Sequence, residues 1–326
     1  MQTISLFDLE DHYPLSLQSL KAPAYARSFE EKINNVKNSI RALLSRGYVL
    51  SIPVSYGKDS SVMLNIALEA MKEQIKETGS CPEAVVVTSN TLVENPVMDI
   101  FARKEARKVR EYVKKKNLPV TVEIVEPNLS NNYLVNLIGG RTIAVDVANN
   151  SKCSEMMKVS PISKFKNKML KKYGEYKVVT CVGKRYDESA VRAKNMAERK
   201  ESPWKPVLNE RNELVMSPVA EFTLTDIFKY IAEVGKGNIE CYSNFKELLE
   251  VYRSANEGNC AVTVYATGKA SKAACGSRTG CWICLRVSDD KSMESMLKED
   301  KFSFMKPLND LREYIKQEQY NPNKRN

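Results

Sequence analysis

The chain has 326 residues, and 50 lysines and arginines against 40 aspartates and glutamates give it a net charge of +10. This excess of positive charge favours an acidic partner, such as ATP, nucleic acid or an acidic protein. No apolar run reaches the roughly 18–20 residues that span a bilayer, and Met1–Asp8 carry no signal-like apolar region. Eight cysteines in so long a chain do not indicate a secreted disulfide scaffold. We therefore expect a cytoplasmic protein. The only histidine, His12, argues against histidine general-base chemistry and histidine-rich metal sites.

The spacing of apolar residues predicts helices and strands that alternate along the chain. In order, we predict a helix over 28–46, a strand over 48–54, a helix over 60–77, a strand over 84–88, a helix over 97–116 and a strand over 119–125. Residues 126–176 are interpreted as an insertion with short helices near the site, and 176–182 as a fourth strand. A hairpin-like connection at 206–218 precedes a helix that begins near Thr223 or Thr225. The alternation indicates an α/β fold with a doubly wound, mostly parallel sheet.

The first functional candidate is the turn between the first predicted strand and the helix after it. Its residues are Ser55, Tyr56, Gly57, Lys58, Asp59, Ser60 and Ser61. At a helix N-terminus the backbone N–H groups and the helix dipole favour an anion, while the serine hydroxyls and the lysine ammonium add further donors. The turn therefore predicts a phosphate site, and it lacks the glycine spacing of a Walker motif. The alternative is a surface turn that happens to contain a lysine.

This turn resembles the PP-loop, S-G-G-K-D-S, of the ATP pyrophosphatase superfamily. The resemblance implies binding of ATP and cleavage between its α and β phosphates, with Lys58 and Asp59 as catalytic candidates. Tyr56 departs from the pattern, because the superfamily has glycine there and a positive φ is costly for tyrosine. Mg²⁺ would usually bridge the polyphosphate, and Asp59 is a candidate to hold it, with helix capping as the alternative.

A second anion-friendly turn follows the fourth predicted strand at Gly183-Lys184-Arg185. Arg185 and Arg192 could clamp phosphate oxygens and Glu188 could hold one of them, although a solvated helix start with weak ion pairs is equally consistent. Ser89, after the second strand, is expected at the same edge of the sheet. The pattern G-x-R-x-x-E-S-x-x-R resembles the PAPS reductase branch of the superfamily, as does the C-x-x-x-x-K-x-x-P segment at 153–161. Gly183, Arg185, Arg192 and Ser89 are therefore nucleotide-binding candidates, and Arg185 is also a catalytic candidate.

Lysine clusters carry much of the positive charge. They are Lys114, Lys115, Lys116, Lys164, Lys166, Lys168, Lys171 and Lys172. Each cluster fits a solvated helix face, and the sharper alternative is a surface that follows nucleic-acid phosphates.

Four cysteines lie close together near the end of the chain: Cys260, Cys275, Cys281 and Cys284. Four thiolates without a histidine suit either tetrahedral Zn²⁺ or a [4Fe–4S] cluster, and the spacing alone does not choose the metal. Cys81, Cys153, Cys181 and Cys241 are more scattered, and four unliganded thiols remain the alternative reading.

The C-terminal pattern Gly276–Cys284, followed by Asp289–Met293, resembles the signature of the DndC family, including its SspD-like members. Gly258-Asn259-Cys260 and Phe304–Leu308 fit the same family. The character of the sequence changes near Asn238, where most of the distinctive cysteines begin, so we predict a PP-loop ATP pyrophosphatase domain with an adenine nucleotide α-hydrolase-like fold over 1–237 and a mainly helical, cysteine-rich extension over 238–326.

The DndC resemblance further implies DNA phosphorothioation, in which sulfur replaces a non-bridging oxygen of the DNA backbone. It implies a [4Fe–4S] cluster on Cys260, Cys275, Cys281 and Cys284, in preference to zinc. DNA, a cysteine desulfurase as sulfur donor and other phosphorothioation subunits are the implied partners. The alternatives are a tRNA-thiolating enzyme, an ATP sulfurylase small subunit, a PAPS reductase and a non-catalytic nucleotide- or DNA-binding scaffold, and the oligomeric state stays open.

Overall fold

A computed structural model describes residues 27–142, 144, 152–174, 176–255, 279–319, 321 and 323. The chain divides into two compact units. The first comprises Met1–Val87, Arg107–Glu123 and Lys166–Asn244, and the second comprises Thr88–Ala106, Ile124–Phe165 and Phe245–Asn326. This grouping differs from the linear boundary at 237/238, which remains a prediction. No helix in the described ranges is both long and apolar enough to cross a membrane.

A six-stranded sheet with the strand order β3-β2-β1-β4-β6-β5 organises the fold. Its strands are β1 Val49–Pro53, β2 Ala84–Ser89, β3 Val120–Val125, β4 Val178–Cys181, β5 Val207–Leu208 and β6 Leu214–Met216. Strand β1 pairs in parallel with β2 and β4, β4 pairs in parallel with β6, and β5 and β6 form an antiparallel hairpin. The predicted α/β fold with a mostly parallel sheet is confirmed, and so is the hairpin.

Ten α-helices of six or more residues precede, connect and follow these strands in the described part of the chain. They are α1 Phe29–Ser45, α2 Lys58–Thr78, α3 Pro96–Lys115, α4 Tyr133–Ile138, α5 Ser160–Tyr173, α6 Ala190–Glu198, α7 Leu224–Gly235, α8 Lys246–Ser254, α9 Lys291–Met296 and α10 Lys306–Glu318. The capping box of Ser28 and Glu31 starts α1, and that of Thr223 and Asp226 starts α7. Helix α2 is buried over most of its circumference, which fixes its N-terminus against the sheet of the first unit.

Short helical turns precede α5 in the described part of the 126–176 segment. A helical turn at Lys152–Ser154 and a π-helical turn at Glu155–Val159 run directly into α5, so this helical path is nearly continuous. Pro161 lacks an N–H and cannot donate to the carbonyl four residues earlier, that of Met157. In the structure the Ser89 hydroxyl donates to this carbonyl at 3.0 Å. A proline that would normally end a helix is therefore accommodated by a hydrogen bond from a distant strand.

The second unit has its own apolar core. It is formed by Val93, Tyr133, Met157, Ala255, Trp282, Ile283, Met293, Met296 and Met305. Two of these residues lie inside the C-x-x-C segment, so the backbone between Cys281 and Cys284 is anchored by the burial of Trp282 and Ile283.

Candidate functional site

The turn after β1 leads directly into α2 at the point where the sheet changes direction. Strand β1 lies between β2 and β4, so the chain leaves it at the switch point where parallel α/β sheets bind ligands. Gly57 is the N-cap of α2 and no side chain caps it, while the Ser61 N–H donates to its carbonyl at 2.9 Å. The N–H groups of the first helical turn have no intrahelical acceptor and suit a phosphate.

Three serines line this turn in different ways. The Ser55 and Ser60 hydroxyls are 3.3 Å apart, and the Ser60 hydroxyl donates to the Gly57 carbonyl at 3.1 Å. The Gly57 N–H donates to the Ser55 hydroxyl at 3.4 Å. Ser61 is fully buried, and its hydroxyl has no hydrogen-bond partner among the described residues. Ser55 and Ser60 therefore preorganise the turn, with two hydroxyls on one side of it.

Tyr56 adopts the left-handed conformation that a glycine would occupy without cost. Its φ is 56° and its side chain is completely buried. A left-handed non-glycine residue costs about 1–2 kcal/mol, whereas burying a large aromatic side chain contributes about 1.5–3 kcal/mol. The turn thus keeps the backbone path of a glycine-containing loop, and the buried ring offsets the strain.

Arg185 and Asp59 join the two turns through a buried ion pair. The Arg185 Nε donates to the Asp59 carboxylate at 2.6 Å, and its guanidinium also donates to the Phe222 carbonyl at 3.3 Å. Lys58 lies 3.2 Å from the same carboxylate. Arg185 is only 3% exposed, so in this structure its guanidinium is buried and stabilises the Ser55–Ser61 turn through Asp59. Its predicted role as a phosphate clamp, and that of Asp59 as a Mg²⁺ ligand, stay predictions.

Gly183 allows the two turns to approach each other closely. A Cβ atom at this position would lie 2.9 Å from Cα of Ser60 and 3.1 Å from its backbone nitrogen. Real Cβ atoms do not approach backbone so closely, so no other residue fits without moving the first turn of α2.

We expect Gly183→Ala to lower ATP affinity at least tenfold and the free energy of unfolding by about 1–3 kcal/mol, because overpacking here displaces backbone. Calorimetric titration and denaturant unfolding measure the two effects. The matched control is Gly235→Ala in α7, where an added Cβ meets no atom within 4 Å. A helical glycine-to-alanine change with free space stabilises by up to about 1 kcal/mol. Wild-type ATP affinity and stability in Gly183→Ala would contradict the close approach.

Arg192 provides the more exposed cation of the second turn. Glu188 pairs with the Arg192 guanidinium and also accepts the Arg185 N–H at 3.1 Å. Burial works to raise the pKa of Glu188, but the hydrogen bond and charge of Arg192 outweigh it and hold that pKa below its ordinary value. The predicted holding of one arginine by Glu188 is confirmed, and the arginine is Arg192.

Ser89 lies in the second unit, and its hydroxyl is the donor to Met157 described above. The other predicted nucleotide-binding residues lie in the first unit. From the sequence, Ser89 could be recognised only as a residue that follows a strand. The signal for its observed contact was Pro161, because a proline leaves the Met157 carbonyl without its usual helical donor. Nucleotide binding by Ser89 stays a prediction.

The C-x-x-C segment forms a second candidate site, within the second unit. Cys281 makes an antiparallel bridge with Glu94, and the Trp282 N–H donates to the Val93 carbonyl at 3.0 Å. The Cys284 N–H then donates to the Cys281 carbonyl at 3.0 Å, which closes the turn between the two thiols. The pairing holds both cysteines of the turn on a fixed backbone.

Arg312 of α10 fixes the far end of this turn. It is 1% exposed, and its guanidinium donates to the carbonyls of Cys284 at 3.1 Å, Val287 at 2.7 Å and Ser288 at 3.3 Å. A buried guanidinium that satisfies three carbonyls holds the backbone strongly. No local motif marks Arg312, so its role could not be read from the sequence.

Charged groups surround the Cys281 thiol. Burial, with the negative charge of Glu94, raises the pKa of Cys281 to about 12. Lys158 forms an ion pair with Glu94 at 3.0 Å. Burial opposes the charge of Lys158, but Glu94, Cys281 and Cys153 together raise its pKa. The C-x-x-x-x-K-x-x-P segment therefore places Lys158 within electrostatic reach of two thiols, Cys153 and Cys281.

Two of the four predicted cluster ligands, Cys281 and Cys284, belong to the described residues. Cys260 and Cys275 lie outside the described residues, and within the described ranges no three histidine, cysteine or acidic side chains converge on a metal position. Cys281 and Cys284 have the donor chemistry and the short turn that thiolate-ligated metals use. These two residues fit a metal, and the complete four-cysteine set stays a prediction.

A mostly parallel α/β sheet with a phosphate-type turn at its switch point is the arrangement of a nucleotide-binding α/β domain. Residues 49–244, more than half of the chain, match the phosphoadenosine phosphosulfate reductase domain, and the chain belongs to that family. No curated protein matches the sequence.

Two solved structures are similar to this chain at low identity. Phosphoadenylyl-sulfate (PAPS) reductase from Candida auris, solved with phosphate, is 13% identical with a TM-score of 0.36, over 66% of this chain and 90% of that one. The U34-tRNA thiolase NcsA from Methanococcus maripaludis, solved with its [4Fe-4S] cluster, is 11% identical with a TM-score of 0.39, over 89% of this chain and 81% of that one.

Proposed function

We propose that this protein is an ATP pyrophosphatase that activates a DNA backbone phosphate for sulfur insertion. The observation that carries the proposal is the Ser55–Ser61 turn, where the N–H groups of the first helical turn, which lack intrahelical acceptors, lie beside Lys58 at the switch point of the sheet. The C-terminal resemblance to the DndC family supplies the choice of DNA as the substrate. The protein would act in the cytoplasm with a cysteine desulfurase and other phosphorothioation subunits.

The proposed chemistry has two substitutions at phosphorus. A non-bridging oxygen of the DNA phosphate attacks the α-phosphorus of ATP, the α–β anhydride bond breaks, and pyrophosphate leaves. A sulfide-level nucleophile then attacks the activated DNA phosphorus, a P–S bond forms, and AMP leaves with the former DNA oxygen. Phosphate oxygen is a poor leaving group until adenylylation makes it part of AMP.

The residues of the first unit have clear roles in such a reaction. The α2 N-terminus and Lys58 would neutralise charge that develops on the pyrophosphate. Asp59 holds Lys58 on one side and Arg185 on the other, which orients both cations. Arg192, which is partly exposed and pairs with Glu188, would meet a further phosphate oxygen. Mg²⁺ would add charge neutralisation when bound.

The cysteines of the second unit would hold a [4Fe–4S] cluster. When bound, the cluster would either carry sulfur for the transfer or brace the C-terminal segment. Cys281 and Cys284 would provide two of its ligands, with Glu94, Trp282 and Arg312 fixing their backbone.

We expect the full chain, purified without oxygen, to be brown with broad absorption near about 400 nm, as cysteine-ligated iron–sulfur centres are. Cys281→Ser and Cys284→Ser should each lose most of the iron, measured by mass spectrometry of the metal. Cys81→Ser, which alters a partly buried cysteine of the first unit, should keep it. Stoichiometric zinc without iron in the anaerobic protein would overturn the iron assignment.

Gene deletion tests the proposed substrate. We expect phosphorothioate dinucleotides to disappear from digested DNA, to return with the wild-type gene, and to stay absent with Lys58→Ala. Thionucleosides of tRNA, measured by mass spectrometry in the same cells, should not change. Loss of tRNA thionucleosides with intact DNA phosphorothioates would refute the DNA assignment and favour tRNA thiolation.

A further inference from the structure

Helix α5 concentrates positive charge without any compensating acidic residue. Its 14 residues, SPISKFKNKMLKKY, contain five lysines and no aspartate or glutamate. The chain as a whole has a net charge of +10, so this one helix contributes half of that excess. A concentration of this kind needs a structural or a functional explanation.

Ion pairs explain two of the five lysines. Lys166 is buried and lies 3.0 Å from the Glu213 carboxylate, and Lys172 lies 3.0 Å from Glu83. Lys166, Lys172 and both of their acidic partners belong to the first unit, so these two lysines have structural roles within it.

The other three lysines have no such role. Lys164, Lys168 and Lys171 are exposed, and none of them forms an ion pair with any described residue. They stand at positions i, i+4 and i+7, which places them on one face of the helix. We call these three residues the α5 lysine face.

Other exposed lysines of this protein do form ion pairs with acidic side chains. Lys194, Lys236 and Lys306 are each more than 60% exposed, and each pairs with an acid three or four residues away on its own helix or at its end. Like charges one turn apart instead destabilise a helix by about 0.2–0.5 kcal/mol per pair. The α5 lysine face carries this cost with no compensating contact in the described chain, and a polyanion would remove it.

We propose that the α5 lysine face binds the backbone phosphates of duplex DNA. From Lys164 to Lys171 the helix rises about 10 Å, and duplex DNA carries about one charge per 1.7 Å of its axis, so three phosphates are within reach of three flexible side chains. The choice of DNA over other polyanions rests on the proposed function, to which this surface adds a substrate-binding site.

The chemistry of the face favours a duplex over single strands or loops of RNA. Such strands are bound largely by stacking of bases on aromatic side chains. The α5 lysine face has none, because Phe165 and Tyr173 are only partly exposed and the Tyr173 hydroxyl is engaged with Glu83. Lysines without aromatic partners are suited to the regular phosphates of a duplex.

The test compares two triple variants of the full chain that remove the same charge. The first is Lys164→Gln/Lys168→Gln/Lys171→Gln, and the second is the control Lys194→Gln/Lys236→Gln/Lys306→Gln. Binding to a 30-base-pair DNA duplex of mixed sequence is measured by fluorescence anisotropy across a salt series. Single-stranded DNA and duplex RNA of the same length are measured in parallel.

We expect the first variant to lose roughly 10- to 100-fold in duplex affinity near 0.15 M salt, and its slope of log affinity against log salt to fall by about 0.9 per lost phosphate contact. The control should stay within about twofold of wild type, since general electrostatic attraction alone changes. Equal losses in the two variants, absence of duplex binding by the wild-type chain, or tighter binding of single-stranded DNA or of RNA would overturn the proposal.

The assay contains no ATP, so its outcome is separable from that of the proposed reaction. If the α5 lysine face binds DNA but gene deletion leaves phosphorothioates in place, the proposed reaction is refuted and the proposed surface is not. If gene deletion removes phosphorothioates but the α5 triple variant binds DNA as the wild type does, the proposed surface is refuted and the proposed reaction is not.

Discussion

Replacing Lys58 with alanine is expected to reduce ATP cleavage at least 10³-fold, which corresponds to about 4 kcal/mol of lost transition-state stabilisation. Lys58 begins α2 at the phosphate-type turn and is only 14% exposed, so its charge acts where water screens it weakly. The variant should fold normally, because the first turn of α2 keeps its backbone and alanine is a good helix former. Release of AMP under saturating ATP measures the effect.

Two controls keep the Lys58 experiment interpretable. Circular dichroism and denaturant unfolding should show that Lys58→Ala retains the wild-type fold. Lys236→Ala removes an exposed lysine that pairs with Glu233 at 2.8 Å on α7, and it should leave turnover unchanged. Wild-type turnover by Lys58→Ala would remove this residue from the site.

Replacing Arg185 with alanine is expected to lower the free energy of unfolding by about 3–5 kcal/mol, the usual cost of removing one partner of a buried ion pair. Asp59 would keep only Lys58 as a partner, and the Phe222 carbonyl would lose a donor. Because Asp59 belongs to the first turn of α2, ATP affinity should fall together with stability. Denaturant unfolding at constant salt gives the free energy, and calorimetric titration gives the affinity.

A surface arginine provides the comparison for Arg185. Arg107 pairs with Glu111 at 3.8 Å, and both side chains are about 70% exposed. Arg107→Ala should change the unfolding free energy by less than about 1 kcal/mol, since exposed pairs contribute little. If Arg185→Ala changed the free energy of unfolding as little as Arg107→Ala, the ion pair of Arg185 and Asp59 could not be the contact that joins the two turns.

Local patterns predicted the elements of the sheet well. The strands at 48–54, 84–88, 119–125 and 176–182 and the helices at 60–77 and 97–116 agree with the structure to within about two residues, because buried strands and amphipathic helices leave strong periodicities. The strand–turn–helix at Ser55–Ser61 was readable for the same reason. Its position at the switch point follows from the strand order, which no local pattern contains.

Contacts between residues far apart in sequence were not readable. Asp59 and Arg185 are 126 residues apart, and their shared role depends on β1 and β4 being neighbours. Arg312 reaches back 28 residues to Cys284 from a helix whose sequence looks like any charged surface helix. A single sequence shows which residues are basic, and only the fold shows which of them are buried.

The segment around α5 also depends on contacts between residues far apart in sequence, which local patterns do not show. Short helices were expected over 126–176, and several are present, but the sequence did not show that a π-helical turn and the Ser89 hydroxyl join the last of them to α5 in a nearly continuous helical path. The lysine clusters could be seen in the sequence, but the structure was needed to separate paired Lys166 and Lys172 from the α5 lysine face.

The nature of the products of ATP tests the central claim most directly. The full chain, with Mg²⁺ and its proposed partners, is incubated with ATP labelled in the α-phosphate, and the nucleotide product and the released phosphates are separated and quantified. We predict AMP and pyrophosphate in equal amounts, and an at least 10³-fold lower yield of both from Lys58→Ala. Release of ADP and inorganic phosphate would contradict it.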